Sequence, residues 1–182
     1  PGVDYVCSDN IAGAELAADQ LLRSGCRRFG WLNHSPSTWA GRMRGEAFSR
    51  ALQARGVDVE RNLAILACPE EGYTGGFQAA ALADEALEGI FCANAQIACG
   101  FLDGMRQRGK QAPEDYQLIG FDNTPPTAQY SYQLTTLHQD VAAISRQALA
   151  RLQERTVDPL QPSRTTWVEV TLIHRRTSPF II

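Results

Sequence analysis

Hydrophobic positions along the chain fall into short continuous runs, separated by longer stretches in which they recur every three or four residues. The runs are rich in β-branched and aromatic residues, and they predict strands at residues 28–33, 63–67, 89–93 and 117–121. The stretches between them predict helices at residues 40–55, 76–85 and 97–108. Strands that alternate with helices are typical of βαβ units, so the sequence predicts an α/β fold with a parallel sheet.

The two ends of the chain add further elements. A short strand at residues 3–7 leads into a helix at 11–23, and Asp140 is placed to cap a late helix whose apolar positions are Val141, Ile144, Ala148 and Leu152. Residues 158–162 predict a turn-rich crossing and residues 166–173 a final strand. Because the central strands already have their own helices, we expect the two flanking helices to pack elsewhere. They predict a second lobe, most of whose sheet lies outside this sequence.

Composition narrows the class of protein. The 182 residues suit one α/β domain or one lobe with pieces of a second, and a formal net charge of −3 provides no broad cationic surface for nucleic acid. No apolar run approaches the roughly 18 residues of a membrane helix, and no signal-peptide pattern opens the chain. Five scattered cysteines favour free thiols in a reducing compartment. We therefore expect a cytoplasmic protein that makes no membrane contact.

Polar side chains follow the predicted strands. In parallel sheets, ligands bind beyond the carboxyl ends of the strands, where loops and helix N-termini converge. The polar residues at those ends are Asn33, Ser35, Ser37, Thr38, Glu70, Glu71, Tyr73, Asn94, Asp122 and Asn123, and Arg42 and Arg44 follow in the first turns of the next helix. Amide, carboxylate and guanidinium groups together favour a neutral, polyhydroxylated ligand such as a sugar.

Each of these residues also has a purely structural explanation. Asn94 and Asp122 are suited to cap a helix or turn, Arg44 to be an exposed helix charge, and Glu70 and Glu71 to lie in a solvated loop. Catalytic motifs are scarce: His34, His138 and His174 lack metal-ligand spacing, and no phosphate loop or nucleophile elbow occurs. The sequence predicts a binding protein without metal or cofactor, while a doubly wound enzyme remains an alternative.

Taken together, several strings resemble the effector-binding core of the lac-repressor and galactose-repressor (LacI/GalR) family of transcription regulators. The strings are Ser8-Asp9-Asn10 with Gly13; Gln20-Leu21-Leu22 with Gly25; Arg44 with Phe48 and Gly56; Ile90-Phe91-Cys92-Ala93-Asn94; Pro113-Glu114-Asp115; Leu118-Ile119-Gly120-Phe121-Asp122-Asn123; and Leu134-Thr135-Thr136-Leu137-His138-Gln139-Asp140. They cover nearly the whole chain in order, and those after Pro113 are the most specific.

The resemblance implies a two-lobed fold of the periplasmic-binding-protein type. It assigns residues 1–25 to a remnant of the N-terminal lobe, 26–138 to the C-terminal lobe, 139–164 to a return to the N-terminal lobe, and 165–182 to the last strand and tail of the C-terminal lobe. It also implies a small-molecule effector, operator DNA contacted only through a helix-turn-helix domain outside this chain, and a homodimer. Candidate dimer contacts are Phe101, Met105, Tyr130 and Tyr132.

The family's ligand positions carry over onto matching residues. Arg44 corresponds to an arginine that donates to effector hydroxyls, Asn94 and Asp122 to groups that grip the same ligand, and Gln139 to a cleft residue at the lobe crossing. Asp9 and Asn10 lie toward the opposite wall, and Arg42, Glu71 and Tyr73 are secondary candidates.

The chain also departs from the family pattern. Ala95 replaces the usual aspartate after Asn94, and Ala47 replaces the usual glycine before Phe48. Glu71 stands where many members carry an aromatic ring, and Tyr73 is positioned to substitute through a loop shift. A transporter's solute receptor, which shares the two-lobed fold, is the alternative from another functional class.

Overall fold

A computed structural model of the chain describes residues 3–182. Its strands are β1 (Tyr5–Ser8), β2 (Phe29–His34), β3 (Leu63–Cys68), β4 (Gly89–Cys92), β5 (Gln117–Phe121), β6 (Thr135–Gln139), β7 (Thr165–Val168) and β8 (Val170–Ile173). Its α-helices are α1 (Asn10–Arg23), α2 (Trp39–Ala54), α3 (Val59–Asn62), α4 (Gly72–Leu82), α5 (Ala95–Gln107) and α6 (Val141–Val157). A 3₁₀ turn covers Pro125–Ala128.

The main sheet has six strands in the order β3-β2-β4-β5-β6-β8. The pairs up to β6 are parallel, and β8 closes the edge in antiparallel register. Buried strands alternate their side chains between the two faces. On β4, Phe91 packs beneath α1 and α2, whereas Ile90 and Cys92 pack beneath α4 and α5. The predicted α/β fold with a parallel sheet is confirmed.

Helix α1 lies on the main sheet, and this corrects the prediction that it needs a surface on a second lobe. Its alanine face joins the same buried cluster as Phe48 of α2 and Phe121 of β5. Gly13 sits so close to the sheet that a Cβ there would lie 3.1 Å from side-chain atoms of Leu137 and Phe121. The helical spacing correctly predicted a buried face, but spacing does not identify the surface that covers it.

A second, two-stranded sheet pairs β1 with β7 in parallel, and α6 packs against it. The predicted single strand at residues 166–173 is therefore wrong. β7 belongs to the small sheet and β8 to the main one, with exposed Glu169 between them. Val168 and Val170 are both buried, so the two segments read as one alternating pattern even though the chain crosses between sheets.

Helix α6 exposes most of its apolar face. Val141 and Leu152, two of the apolar positions predicted for this helix, are more than half exposed, while Arg151 is buried at 4% exposure beside Asp4. The Asp4 carboxylate accepts hydrogen bonds from Arg155 Nη2 at 2.9 and 3.0 Å and from the Arg164 backbone N–H at 2.9 Å. This charged cluster holds α6 to the small sheet.

The chain passes between the two sheets at three adjacent points, after β1, after β6 and between β7 and β8. These crossings are joined to one another. The Asp9 backbone N–H donates to the Val168 carbonyl at 2.9 Å, and the buried Ser8 hydroxyl donates to Gln139 Oε1 at 2.7 Å. The assignment of residue ranges to lobes stays a prediction.

Two of the expected dimer contacts are core residues. Phe101 and Met105 are buried between α5 and the sheet, so the prediction that they contact a second subunit is wrong. Tyr130 is 86% exposed, and Tyr132 is half-buried with its hydroxyl bonded to Asp103 at 2.9 Å. All five cysteines are free, and all but Cys7 are buried. Among residues 3–182, no helix has the length and apolar character needed to cross a membrane.

Candidate functional site

A cleft of about 250 Å³ opens at the carboxyl edge of the main sheet, between the N-termini of α2, α4 and α5. We call it the carboxyl-edge cleft. Of the side chains predicted at the strand ends, those lining it are Asn33, Ser37, Thr38, Arg44, Glu71 and Asn94. His34 and Gln96 also line it and were not predicted. A larger groove of about 680 Å³ includes Arg27 and Arg55, but those guanidinium groups cap helix carbonyls.

The Arg44 side chain lines the carboxyl-edge cleft and is held by three contacts. Its Nε donates to Asn10 Oδ1 at 2.9 Å, its Nη1 donates to the Ala93 carbonyl at 2.9 Å, and its Cζ lies 3.5 Å from the centroid of the Phe121 ring. Burial lowers the pKa of Arg44 to about 10, and the nearby charge of Asp122 opposes that shift. The guanidinium is thus rigidly held, and Nη2 makes no hydrogen bond to residues 3–182.

Asn10 positions Arg44 from a helix that sequence reasoning placed in another lobe. It is the first residue of α1, is only 2% exposed, and also donates from Nδ2 to Met43 Sδ at 3.8 Å. The sequence signal was the Asp9-Asn10 match, which we interpreted as the opposite wall. The structure brings Asn10 to the same side as Arg44 because α1 packs on the main sheet.

Asn94 ends the loop after β4 and is the N-cap of α5. Its Oδ1 accepts from the Ile97 backbone N–H at 3.0 Å, which is the helix cap proposed as its structural alternative. The cap fixes the side chain at the cleft lining and leaves the amide Nδ2 as a donor. Ala95 is buried as the first helical residue, so the cap comes from Asn94 itself and not from the following position.

Asp122 adopts an unusual backbone conformation directly after β5, with φ of 89°. Its N–H donates to the Leu137 carbonyl at 2.8 Å, and its carbonyl accepts from Thr136 Oγ1 at 2.8 Å. The carboxylate forms no hydrogen bond or ion pair with another residue of the described range 3–182. A carboxylate carried on a hydrogen-bonded backbone turn therefore lies near Arg44, outside the lining of the carboxyl-edge cleft and on its β5 side.

Comparison with known proteins identifies the domain. The sequence profile of the periplasmic binding protein-like domain matches residues 18–178, which is most of the chain. The chain belongs to this family.

Its relatives place it more narrowly. It is 26% identical over 179 residues to the transcriptional repressor PurR of Mannheimia succiniciproducens, covering 97% of this chain and 53% of that protein. It is 27% identical over 173 residues to the regulator GalS of Salmonella typhimurium, covering 94% and 51%. The chain thus spans about half the length of the curated relatives it matches.

Solved structures agree with these relatives. A LacI family transcriptional regulator from Enterococcus faecium with bound ribose superposes with a TM-score of 0.86 at 27% identity, covering 97% of this chain and 65% of that one. The chain is an effector-binding core of the LacI/GalR type, as the sequence resemblance predicted.

Several residues predicted for this LacI-type site lie elsewhere. The Tyr73 hydroxyl donates to Asp103 Oδ2 at 2.6 Å on the outer side of α4 and α5, so Tyr73 does not replace a stacking ring in the cleft. Arg42 is exposed and donates to the Ser37 carbonyl at 3.1 Å. Glu70 accepts from Gln78 Nε2 at 3.2 Å. The corrections for Arg42 and Tyr73 follow from helical geometry, because neighbouring positions on α2 and α4 face different directions, whereas Glu70 lies in the loop before α4.

Other predicted residues have structural partners near the site. Asp9 caps α1 by accepting from the Ala12 backbone N–H at 2.9 Å, and Gln139 is engaged by Ser8 at the crossing. Glu71 lies at the mouth of the carboxyl-edge cleft with its side chain 87% exposed, 3.7 Å from His34 Nε2. Within residues 3–182, histidine, cysteine and acidic side chains form no cluster suited to a metal ion.

Proposed function

We propose that this chain is the effector-sensing part of a LacI-type bacterial transcription regulator and binds a small polar ligand, a sugar or sugar-like molecule, between two lobes. The observation that carries the proposal is Arg44, a largely buried guanidinium held beside a polar cleft by neutral oxygens. Because burying a cation that forms no hydrogen bond with a carboxylate is unfavourable, its retention at this edge is best explained by a ligand that it binds.

The surrounding groups favour a ligand rich in hydroxyls. Arg44 Nη2 and Asn94 Nδ2 offer donors, and the Asp122 carboxylate offers acceptors. The Enterococcus faecium relative was solved with bound ribose, which supports a sugar for this chain as well. Its relatives are transcriptional regulators, which disfavours the transport-receptor and enzyme alternatives.

In the proposed mechanism, effector binding shifts an equilibrium between open and closed lobes. The three crossings, joined by the Ser8–Gln139 and Asp9–Val168 hydrogen bonds, form the hinge. A ligand shifts this equilibrium only through its different affinity for the two states, and couplings of about 1–3 kcal/mol change operator affinity about 5- to 150-fold. Operator DNA is contacted by a separate helix-turn-helix domain in a cytoplasmic homodimer, with exposed Tyr130 among the contacts.

Thermal unfolding in the presence of ligands tests this function. We expect one class among sugars, sugar phosphates and nucleobases to stabilise the chain by about 2.7 kcal/mol at 100 times its dissociation constant. Arg44→Ala removes charge-assisted hydrogen bonds worth roughly 1.5–3 kcal/mol each, so at the same ligand concentration the stabilisation should fall to about 1.3 kcal/mol or less. Arg42→Ala is the matched control, because Arg42 lies on the same helix but is exposed and bonds only Ser37. An unchanged response in Arg44→Ala would refute the site.

A further inference from the structure

The turn that carries Asp122 is held from several directions at once. Beyond the two backbone contacts of Asp122, the side chain of the next residue, Asn123, is bonded on both of its polar atoms. Asn123 Oδ1 accepts from Thr127 Oγ1 at 3.1 Å and from Arg175 Nη2 at 2.8 Å, while Nδ2 donates to His138 Nδ1 at 3.4 Å. A residue at positive φ persists when its surroundings over-determine it, and these contacts supply that constraint.

Arg175 holds this turn from outside it, through hydrogen bonds of its guanidinium group. It follows β8 in the C-terminal tail, and its Nη1 donates to the Leu134 carbonyl at 2.9 Å and to Thr127 Oγ1 at 3.1 Å. Burial lowers the pKa of Arg175, and within residues 3–182 it forms no ion pair with a carboxylate. Its guanidinium therefore bridges three neutral oxygens, on Asn123, Thr127 and Leu134. A planar group with fixed donors is suited to holding such separated acceptors in one arrangement.

We infer that Arg175 is a positioning residue, which acts through Asn123 to hold the Asp122 carboxylate in place for the effector. The inference rests on the proposed function, since it assigns Asp122 to the ligand. It also connects the site to the hinge: Arg175 follows the β7–β8 crossing, and His138, the other partner of Asn123, directly precedes Gln139 at the β6 crossing. The Asp122 turn is thus tied to two of the three segments that pass between the sheets.

Amide hydrogen exchange of the ligand-free chain tests the positioning role directly. In Arg175→Lys, a single flexible ammonium replaces the planar fork whose two nitrogens bond Leu134 and Asn123. The Asp122 amide should therefore exchange roughly tenfold faster, while core amides of β4 and β5 stay protected. Arg176→Lys is the matched control, because Arg176 is exposed and bonds only the Ser131 carbonyl. Unchanged exchange at Asp122 would overturn the inference. If Arg175→Lys loses protection throughout, Asn123→Ala decides by the same criterion.

A binding cycle with D-ribose as probe separates this inference from the proposed function. Arg175→Lys should weaken D-ribose binding roughly tenfold, the equivalent of one net hydrogen bond, and should have no further effect in an Asp122→Asn background. Equal weakening in both backgrounds would show that Arg175 acts independently of Asp122 and would overturn the inference. If wild type does not bind D-ribose, the proposed ligand fails for this sugar, whereas the exchange experiment still decides the role of Arg175.

Discussion

Replacing Asp122 should separate stability from ligand binding. Because its φ is 89°, any side chain with a Cβ is strained at this position, whereas glycine is not. A left-handed conformation costs an L-residue roughly 1–2 kcal/mol, and the greater freedom of glycine in the unfolded chain removes about 0.4–1 kcal/mol of that gain. We therefore expect Asp122→Gly to be more stable than Asp122→Ala by about 1 kcal/mol.

The comparison between the two variants isolates the backbone. Both remove the carboxylate and its favourable effect on the Arg44 charge, so that change cancels in the difference. Asp122→Asn provides a third variant, which keeps the shape of the side chain and adopts positive φ more readily than alanine does. All three should show a smaller ligand-induced rise in melting temperature than wild type, because none presents a carboxylate.

Urea denaturation followed by tryptophan fluorescence measures the free energies of unfolding, and thermal melting provides a second measure. For a chain of this size, 1 kcal/mol corresponds to about 2–4 °C in Tm. The reasoning is refuted if Asp122→Ala is as stable as Asp122→Gly. The assignment of Asp122 to the ligand is refuted if Asp122→Gly keeps the full ligand-induced rise in melting temperature of the wild type.

Two further predictions concern parts of the fold outside the cleft. The hydrogen bond from the Arg164 backbone and the bonds from Arg155 lower the pKa of Asp4. A carboxyl whose pKa is lower in the folded than in the unfolded protein stabilises the fold above its unfolded pKa, and this effect is lost as the pH falls through the folded pKa. In urea melts, acidification below about pH 4 should therefore destabilise wild type more steeply than Asp4→Asn. Gly76→Ala should destabilise the fold by about 1–3 kcal/mol or more in the same assay, because its Cβ would lie 2.0 Å from the Ile97 carbonyl oxygen where α4 meets α5. An unchanged midpoint for Gly76→Ala would contradict this contact.

Local sequence patterns predicted most helices and strands, but they did not predict which surfaces those elements pack against. The strand Gln117–Phe121 has the predicted bounds, and the apolar spacing of α1 predicted its buried alanine face. The surface that covers α1 was wrong, since periodicity encodes which face is buried and not what lies against it. The same limit explains residues 166–173, where one alternating pattern continues through a change of sheet.

The candidate site shows the same division. Strand ends placed Arg44 and Asn94 at the carboxyl-edge cleft, because all parallel strands end at that edge. The sequence did not predict the contact of Asn10 with Arg44, because that contact depends on where α1 packs. Tyr73 was predicted near the ligand, but its position on α4 directs its hydroxyl to Asp103 instead. Arg175 lies 52 residues from its partner Asn123, and no local pattern predicts their hydrogen bond.

The polar atoms near the site that have no hydrogen-bond partner within the described part of the chain indicate the chemistry of the ligand. Asn94 Oδ1 is used by the α5 cap and Gln139 Oε1 by Ser8, so both amides present their NH₂ groups as donors, as Arg44 does. Asp122 and Glu71 present only acceptors when ionised. A hydroxyl donates and accepts at once and satisfies both sets, whereas a phosphate or carboxylate satisfies the donors but is repelled by the two carboxylates. In the proposed ligand panel, neutral sugars should therefore raise the melting temperature more than the matching sugar phosphates, and the reverse order would place the effector's charge against Arg44 alone.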